Sequence, residues 1–392
     1  MNTIGTIKDK NILFLQGPMG NFFKKVDKIF QKEGAKTYKL GFNAGDSFFS
    51  HRNNYIAYRN NKSSYKKFIK KLLHEKNIDK IFLFGDCRFY QSVSIKVALE
   101  LKIEVYVFEE GYIRPRYITM EKYGVNDFSH ISRDAKFYNT LQNIIIDPTK
   151  DTHYSQFKMV LSATIYYLIS NIFHYKYPYY EHHRDFSAVK EFFYGTRSII
   201  RKFLYRFEEK NYLNMIENEL SKKYFFVPLQ TYNDFQILEH SGYRSLEKFI
   251  IEVLESFAKN CSKDWIIFKH HPVDRGRKNY KEFILEQALL LGIEKRVLVF
   301  YDTYLPTCLK NAKGTVTINS TVGLSSMTHG TPTITLGNAL YDIEGLTCKG
   351  MKLQDFWHKP KKPDMKLLAK YRAFIINNTQ INGSFYGRFW LK

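Results

Sequence analysis

Two neighbouring carboxylates and a glycine, Glu109, Glu110 and Gly111, follow an apolar run in the first third of the chain. Neighbouring side chains on a strand point to opposite faces, so at most one of the two carboxylates can be buried in a given cleft. The glycine lets the chain turn and leaves Glu110 at the tip of a strand. We interpret Glu110 as a general base or nucleophile, and a solvated acidic turn is the alternative.

A pair of histidines, His270 and His271, stands directly before Pro272. Adjacent side chains on a strand diverge, and neither an HExxH pattern nor a CxxC pair accompanies them, which argues against a metal site. Pro272 ends the strand and holds His271 at its tip. There His271 could protonate or hydrogen-bond a departing phosphate that Lys269 and Arg275 help to hold. The alternative is a histidine that only satisfies the end of the strand.

Further polar residues follow other strand-like runs. Asn319, Ser320 and Thr321 stand at the predicted start of a helix, where hydroxyls and backbone N–H groups favour an anion such as phosphate. Simple capping by Ser or Thr is the alternative, and it is compatible with an anion site. Gly17 ends the first predicted strand and joins the candidate binding residues, because ligands of open α/β sheets bind at the carboxyl ends of strands.

Asp234 and two arginines complete the candidate set. Asp234 follows the strand-like run Tyr224–Gln230, and it either caps the next helix or lies at the edge of a cleft as a rival to Glu110. Arg114 and Arg116 stand on a proline-containing loop, where guanidinium groups suit bidentate binding of a carboxylate or phosphate.

Several common nucleotide motifs are missing from the sequence. It contains no GxxxxGK[ST] loop, no complete GxGxxG pattern and no Asp-x-Asp pair. These absences weigh against ATP hydrolysis, dinucleotide chemistry and a metal-held sugar diphosphate. They favour a nucleoside monophosphate as the activating group of a donor, with no metal and no bound cofactor.

The charge of the chain limits its partners. With 60 Lys and Arg against 38 Asp and Glu, the formal net charge is +22, which attracts nucleic acid, anionic lipid or phosphorylated substrates. No RNP-like motif, zinc finger or basic zipper is present, so we do not expect nucleic acid binding. Two lysine-rich stretches, 61–76 and 359–372, carry apolar residues at helical spacing, as helices on a membrane surface do. Ordinary solvated faces are the alternative.

The sequence predicts a cytoplasmic protein. Its four cysteines are scattered without a CxxC pair, which fits a reducing compartment. The N-terminus lacks the order of charged, apolar and small residues that marks a signal peptide. The longest apolar run, Met159–Phe173, is shorter than the ~20 residues of a membrane span.

Strand-like and helix-like runs alternate in two parts of the chain, which predicts α/β structure with parallel sheets. The strand-like runs of the first part are Asn11–Gly17, Lys80–Asp86 and Ile103–Gly111. Those of the second part are YFFVPLQ, DWIIFKHHP, RVLVFYD, GTVTINST and TPTITLG. Between the two parts, residues 151–212 are aromatic and basic without alternation, which indicates a helical linker or insertion with an amphipathic face. We therefore expect two facing Rossmann-like domains with a cleft between them.

The sequence resembles the KpsS/LipB branch of the capsule polysaccharide synthesis family in four stretches that follow in order. They are EEGYIRPRYITMEKYGVN, PLQTYNDFQILEHS, KHHPVDRG and INSTVGLSSMTHGTPTITLGNALYDIEGLT. The resemblance runs from LFLQGPMGNFF near the N-terminus to about Thr347. It implies a β-Kdo glycosyltransferase of GT-B architecture that uses CMP-Kdo and starts the poly-Kdo linker on lyso-phosphatidylglycerol. It also implies a peripheral position on the inner face of the cytoplasmic membrane, with other capsule assembly proteins as partners.

The acidic-acidic-Gly and His-Pro motifs are also similar to those of bacterial sialyltransferases, which use CMP-activated sugars. By these resemblances Glu110 matches the catalytic carboxylate and His271 the histidine at the leaving phosphate. Ser320 and Thr321 match the CMP phosphate site. Transfer from β-linked CMP-Kdo to a β product retains configuration and requires two displacements or an equivalent front-face route. Glu110 is then the nucleophile or base, with Asp234 as its rival.

The remaining candidates take binding roles in this hypothesis. Lys269, Asn319 and Arg275 would help to hold the CMP phosphate, and Arg114 and Arg116 would hold the carboxylate of Kdo. Two alternatives stay open: a sialyltransferase-like enzyme acting on another acceptor, and a non-catalytic, membrane-bound scaffold of capsule assembly.

The predicted domains follow the alternation of strands and helices. Residues 1–150 form an N-terminal Rossmann-like domain on the acceptor side, and residues 216–350 form a C-terminal Rossmann-like domain that binds the CMP-sugar. Residues 151–215 are the helical linker or insertion, and residues 351–392 are a helical tail that packs back on the N-terminal domain.

Overall fold

The strand-like runs of the sequence are gathered into two sheets. The structure, a computed structural model, describes residues 4–142, 144–181, 188–232, 241–243 and 245–391, and of residues 188–192 it describes the helical backbone alone. The chain divides into unit 1, Met1–His130, Ile145–Ala188 and Ile375–Lys392, and unit 2, Ile131–Ile144 and Val189–Phe374. Each unit has its own sheet, so the fold class is α/β as predicted.

The sheet of unit 1 is parallel except at one edge. Its strands are β1 Asn11–Phe14, β2 Lys36–Gly41, β3 Tyr55–Ala57, β4 Lys80–Phe84, β5 Glu104–Glu110, β6 Tyr117–Lys122 and β12 Gln380–Asn382. They lie in the order β12-β6-β5-β4-β1-β2-β3, and the β12–β6 and β6–β5 pairs are antiparallel. The chain turns back after β5 at Gly111, where a Cβ would lie 2.1 Å from the carbonyl oxygen of Tyr117. Only glycine fits that turn.

Two cores cover the opposite faces of this sheet. The helices of unit 1 are α1 Phe22–Lys32, α2 Ala44–Phe48, α3 Tyr65–Glu75, α4 Phe89–Glu100 and α6 Gln156–Ile172. On β1, Ile12 and Phe14 pack in one core with Phe30 of α1, and Leu13 packs in the other with Ile69 of α3. Since both faces are buried, the strand is apolar throughout instead of alternating.

The sheet of unit 2 is parallel throughout its described strands. These are β7 Tyr224–Pro228, β8 Trp265–Lys269, β9 Val297–Phe300, β10 Gly314–Thr317 and β11 Thr333–Thr335, in the order β11-β10-β7-β8-β9. They confirm the five strands predicted in this part of the chain. The described α-helices of four or more residues that lie wholly or mostly in unit 2 are α5 Ala135–Thr140, α7 Ala188–Glu208, α8 Leu246–Asn260, α9 Lys281–Leu290, α10 Leu305–Asn311, α11 Val322–Thr328, α12 Leu353–Phe356 and α13 Met365–Thr379.

The two lysine-rich stretches do not form membrane-surface helices. Ile69, Leu72 and Leu73 of α3 are buried in a core of unit 1, and Leu367 and Leu368 of α13 are buried as well. The interpretation of these stretches as membrane-surface helices is wrong, because most of the apolar side chains that would enter a membrane are already buried.

The aromatic segment 151–215 is shared between the two units. Helix α6 belongs to unit 1, and α7 belongs to unit 2 from Val189 onward. The tail is also shared, since Trp357 is buried in the core of unit 2 and β12 pairs with β6 in unit 1. The units therefore differ in their boundaries from the predicted domains. Among the described residues, no helix combines the length and apolar character needed to cross a membrane.

Candidate functional site

Three loops meet at the carboxyl edge of the unit 2 sheet. The loop after β7 contacts the loop after β10, because the side-chain amide of Gln230 donates to Asn319 Oδ1 at 3.1 Å. It also contacts the loop after β8, because the backbone N–H of Tyr232 donates to Asp274 Oδ2 at 3.0 Å. The predicted residues 269–275 and 319–321 thus lie on loops joined through the end of β7. Ligands of open α/β sheets bind at this edge.

Asn319, Ser320 and Thr321 lie between β10 and α11, as predicted. Ser320 Oγ accepts from the backbone N–H of Val322 at 3.2 Å, so the serine hydroxyl contacts the first turn of the helix. Gly323 allows Tyr341 to pack there, since a Cβ would lie 2.2 Å from the tyrosine hydroxyl oxygen. Thr321 is the N-cap residue of α11 and its side chain makes no capping hydrogen bond, so of these two hydroxyls only that of Ser320 contacts the helix start. The role of the segment in holding phosphate stays a prediction.

His270 and His271 have different environments. His270 is buried, its ring stacks on Tyr301 at 4.8 Å, and its Nε2 accepts from the backbone N–H of Tyr280 at 3.2 Å. Burial lowers the pKa of His270 to about 4, so the ring is neutral and structural. His271 is half-buried, and its Nδ1 accepts from the backbone N–H of Val273 at 3.2 Å. In a neutral His271 the proton is then on Nε2, a donor suited to a phosphate oxygen.

The two cations predicted beside His271 have partners within unit 2. Lys269 is buried, and its Nζ donates to the backbone carbonyl of Tyr301. Burial lowers the pKa of the Lys269 ammonium. Arg275 forms an ion pair with Asp302. Both side chains therefore connect the end of β8 to the end of β9. Contacts of Lys269 and Arg275 with CMP would come in addition to these bonds and stay a prediction.

In unit 1 the two carboxylates at the end of β5 diverge as predicted. Glu110 is exposed, whereas Glu109 is half-buried and its Oε1 accepts from the backbone N–H of Glu110 at 2.9 Å. Burial raises the pKa of Glu109 to about 7. Of the two carboxyl groups at the end of β5, Glu109 is thus the one whose pKa lies near neutrality, as a general acid or base requires. The EEG motif includes Glu109, but the sequence alone did not indicate which of its two carboxylates has the shifted pKa.

The other predicted residues of unit 1 lie near the carboxyl ends of its strands. Arg114 and Arg116 are exposed on the loop after β5. Arg114 Nε donates to the Gly111 carbonyl at 3.4 Å, and a guanidinium N–H of Arg116 donates to Thr149 Oγ1 at 3.2 Å. Gly17 follows β1, where a Cβ would lie 2.5 Å from the ring of Phe23. Close packing against that ring accounts for the glycine, and ligand binding at Gly17 stays a prediction.

Asp234, the rival of Glu110, lies outside the described residues. Its role as nucleophile or helix cap therefore stays a prediction. Within the described residues, no three His, Cys, Asp or Glu side chains come together as a metal site would require. A surface cavity of about 360 Å³ in unit 1, lined in part by Lys25, Arg388 and Trp390, contains none of the predicted residues.

A buried polar network after β1 and β2 was missed at the sequence level. Gln16 donates to Asp46 Oδ2 at 3.1 Å and to the Tyr166 hydroxyl at 2.9 Å, and that hydroxyl donates to Asp46 Oδ1 at 2.9 Å. Lys39 donates to the backbone carbonyl of Leu15. Burial lowers the pKa of Lys39 to about 8 and raises that of Asp46. A lysine and an aspartate give no signal in the sequence that the fold will bury them.

Comparisons with known proteins agree along nearly the whole chain. The family described as "Capsule polysaccharide biosynthesis protein" matches residues 79–386. The chain is 37% identical over 381 residues to the capsule polysaccharide export protein KpsS of Escherichia coli, covering 97% of this chain and 98% of that protein. It is 38% identical over 393 residues to the capsule polysaccharide modification protein LipB of Neisseria meningitidis serogroup A, covering 97% of this chain and 92% of that protein.

A solved structure, the KpsC beta Kdo 2,7 transferase of Thermosulfurimonas dismutans, is similar with a TM-score of 0.42 and 15% sequence identity. The alignment covers 93% of this chain and 89% of that chain. The match to the family and the similarity to the two relatives are sequence comparisons, and they indicate the same family. The chain therefore belongs to the capsule polysaccharide biosynthesis protein family, with KpsS and LipB among its relatives.

Proposed function

We propose that the protein is a glycosyltransferase that moves Kdo from CMP-Kdo to lyso-phosphatidylglycerol with retention, to start the poly-Kdo linker of a capsular polysaccharide. The observation that carries this proposal is the pair Glu109 and Glu110 at the end of β5. One carboxylate is exposed, and the other has a pKa of about 7. A retaining transfer needs a nucleophile and a group that takes up a proton near neutral pH.

The first displacement breaks the bond between the anomeric carbon of Kdo and a phosphate oxygen of CMP. Glu110 forms a bond to that carbon, and the electron pair of the broken bond stays on the phosphate. His271 donates a hydrogen bond or a proton from Nε2 to that oxygen. Ser320 and Thr321 bind the same phosphate. Lys269, Arg275 and Asn319 help to hold it. Asp234 remains the rival nucleophile.

In the second displacement an acceptor hydroxyl attacks the anomeric carbon and releases the carboxylate. Because the Glu109 and Glu110 side chains diverge, the proton of that hydroxyl passes through one water to Glu109, whose pKa of about 7 leaves much of the group ionised at neutral pH. Arg114 and Arg116 bind the carboxylate of Kdo, since guanidinium groups form bidentate pairs with carboxylates. No metal enters these steps, because a nucleoside monophosphate leaving group carries less charge than a diphosphate.

An anionic phospholipid acceptor agrees with the formal net charge of +22. In this proposal the protein is cytoplasmic, peripheral on the inner face of the cytoplasmic membrane, and works beside other capsule assembly proteins. Kdo and a lyso-lipid are both anionic, so a basic surface favours approach of both substrates. Nucleic acid is not a partner in this proposal.

The test is release of CMP by the full chain from CMP-Kdo or CMP-sialic acid, with lyso-phosphatidylglycerol as acceptor. We expect release from CMP-Kdo that depends on the acceptor, and His271→Ala should lower its rate by about 10²-fold. Faster release of CMP from CMP-sialic acid than from CMP-Kdo would contradict the proposed donor, CMP-Kdo. If CMP neither is released nor raises the melting temperature, the protein is a scaffold and the proposal fails.

A further inference from the structure

The outer face of α7 carries apolar side chains that the fold leaves exposed. They are Ile199, Ile200, Phe203, Leu204 and Phe207, with exposures from 54% for Leu204 to 82% for Phe207. At about 100° per residue they fall within one arc of roughly 140° on the helix. Contiguous apolar patches of this kind on a soluble protein usually mark an interaction surface.

The opposite face of α7 is fixed on unit 2. Tyr205 stacks on Tyr301 with ring centroids 3.8 Å apart, and Arg201 donates to the backbone carbonyl of Arg275 at 2.9 Å. Just beyond the helix, buried Glu209 accepts from the backbone N–H of Tyr301 at 2.5 Å and of Thr303 at 2.6 Å. While these contacts hold, the helix cannot rotate to bury its outer face.

Cations flank the exposed arc on both sides. Arg197, Lys202 and Arg206 are exposed. With the same helical spacing, Arg197 lies at one border of the arc, and Lys202 and Arg206 lie at the other. Apolar residues along one helical face with basic residues at its borders are typical of a helix that lies in a membrane interface.

We propose that this face of α7 docks on an anionic lipid surface, with the helix axis parallel to the surface. The apolar side chains enter the boundary between headgroups and acyl chains, and Arg197, Lys202 and Arg206 meet the headgroups. Charge complementarity favours lipid as the occupant, because the flanking cations add to a chain whose formal net charge is +22. The inference rests on the proposed function in one respect: it names the surface by which the enzyme reaches a lipid acceptor.

The opposite face of α7 connects the helix directly to the predicted donor site within unit 2. Arg201 contacts the backbone of Arg275 in the loop that begins at His271. In the same loop a Cβ on Gly276 would lie 2.1 Å from the carbonyl oxygen of Tyr194, so only glycine lets the loop approach the helix this closely. Docking would therefore place the His271 loop at a fixed height above the lipid surface.

The test is sedimentation of the full chain with vesicles of phosphatidylglycerol and phosphatidylcholine, compared with vesicles of phosphatidylcholine alone. We expect Phe203→Ser/Phe207→Ser to weaken binding at least about tenfold, because two large apolar groups no longer leave water. Ile200→Ser/Leu204→Ser should weaken it in the same direction. The control, Leu289→Ser/Leu290→Ser, removes two exposed apolar side chains from α9 in the same unit and should bind as the unchanged protein.

Substituting the three cations, Arg197→Gln/Lys202→Gln/Arg206→Gln, should remove most of the preference for phosphatidylglycerol. Unchanged vesicle binding by both apolar variants at an unchanged melting temperature would overturn the inference. If light scattering shows that the apolar variants lose a self-association present in the unchanged protein while their vesicle binding stays intact, the face binds a second copy and the inference is overturned too. No sugar donor is present, so a failure here is separate from a failure of the transferase assay.

Discussion

Tyr205 and Tyr301 stack with their ring centroids 3.8 Å apart and an angle of 6° between their planes. Tyr301 also stacks on His270 at 4.8 Å. These rings connect α7 to the residues that follow β8 and β9. The same end of β9 receives the ammonium group of Lys269 and the carboxylate of Glu209. A helix and the loop of the predicted donor site are thus stabilised by one cluster of contacts.

Replacing Tyr301 with alanine should lower the free energy of unfolding by about 3 kcal/mol, because a buried aromatic ring with two stacking partners is lost. Urea denaturation followed by tryptophan fluorescence measures this. Tyr304→Ala is the matched control, since Tyr304 is 63% exposed, and it should change the free energy by no more than about 0.5 kcal/mol. Equal effects of the two substitutions would contradict the stack as a stabilising contact.

Stability should fall as the pH rises through neutrality. Burial raises the pKa of Glu109 and of Glu121 from 4.5 to about 7. A raised folded-state pKa gives stability that is full below the unfolded value and is lost as the pH rises through the folded value. The lowered pKa of His270 opposes this trend below about pH 6.5, so melting temperatures should fall between about pH 6.5 and pH 8, and they should fall less in Glu121→Gln. Glu75→Gln, an exposed position on α3, should show the same fall as the unchanged protein.

The rate of Kdo transfer should rise between about pH 6 and pH 8, because Glu109 must lose its proton before it can accept one. Its pKa of about 7 sets the midpoint. Glu109→Gln should remove this limb of the pH–rate profile and lower kcat by about 10²-fold. Glu121→Gln should keep the limb, because Glu121 is held by the hydroxyls of Tyr112 and Ser129. An unaltered profile in Glu109→Gln would exclude Glu109 as the base.

Tyr166→Phe should destabilise unit 1 by about 1–3 kcal/mol, because it leaves buried polar groups without their partner. The Tyr166 hydroxyl donates to Asp46 at 2.9 Å and accepts from Asn43 Nδ2 at 2.6 Å. The effect is measured as the increase in the rate of backbone hydrogen exchange in α6 as the temperature is raised. Tyr175→Phe changes a ring that is 68% exposed and should have no effect. If both variants unfold alike, the network does not hold α6.

Those strands that could be predicted from the sequence, in both units, are apolar runs that end in a glycine or a polar residue. The strands that were missed lack that pattern. Lys39 interrupts the apolar run of β2, and its burial depends on the Leu15 carbonyl, directly after the neighbouring strand β1. β12 lies far along the chain from its partner β6, and no local pattern records such a pairing.

The candidate site could be predicted in its residue types but not in its environments. Helical spacing showed that α3 has an apolar face, yet it could not show that the face is buried while the apolar face of α7 is exposed. The EEG motif located two carboxylates, and only burial in the fold separates Glu109 from Glu110. Lys269 and Arg275 were predicted as ligand contacts, and their bonds to Tyr301 and Asp302 depend on β9, which is distant in sequence.

The most direct test of the central claim is mass spectrometry of lyso-phosphatidylglycerol after incubation with the full chain and CMP-Kdo. We expect the lipid to gain the mass of one or more Kdo residues, β-linked by NMR, and Glu110→Gln to abolish the gain. A lipid of unchanged mass in the presence of folded protein, or a full gain with Glu110→Gln, would contradict the account.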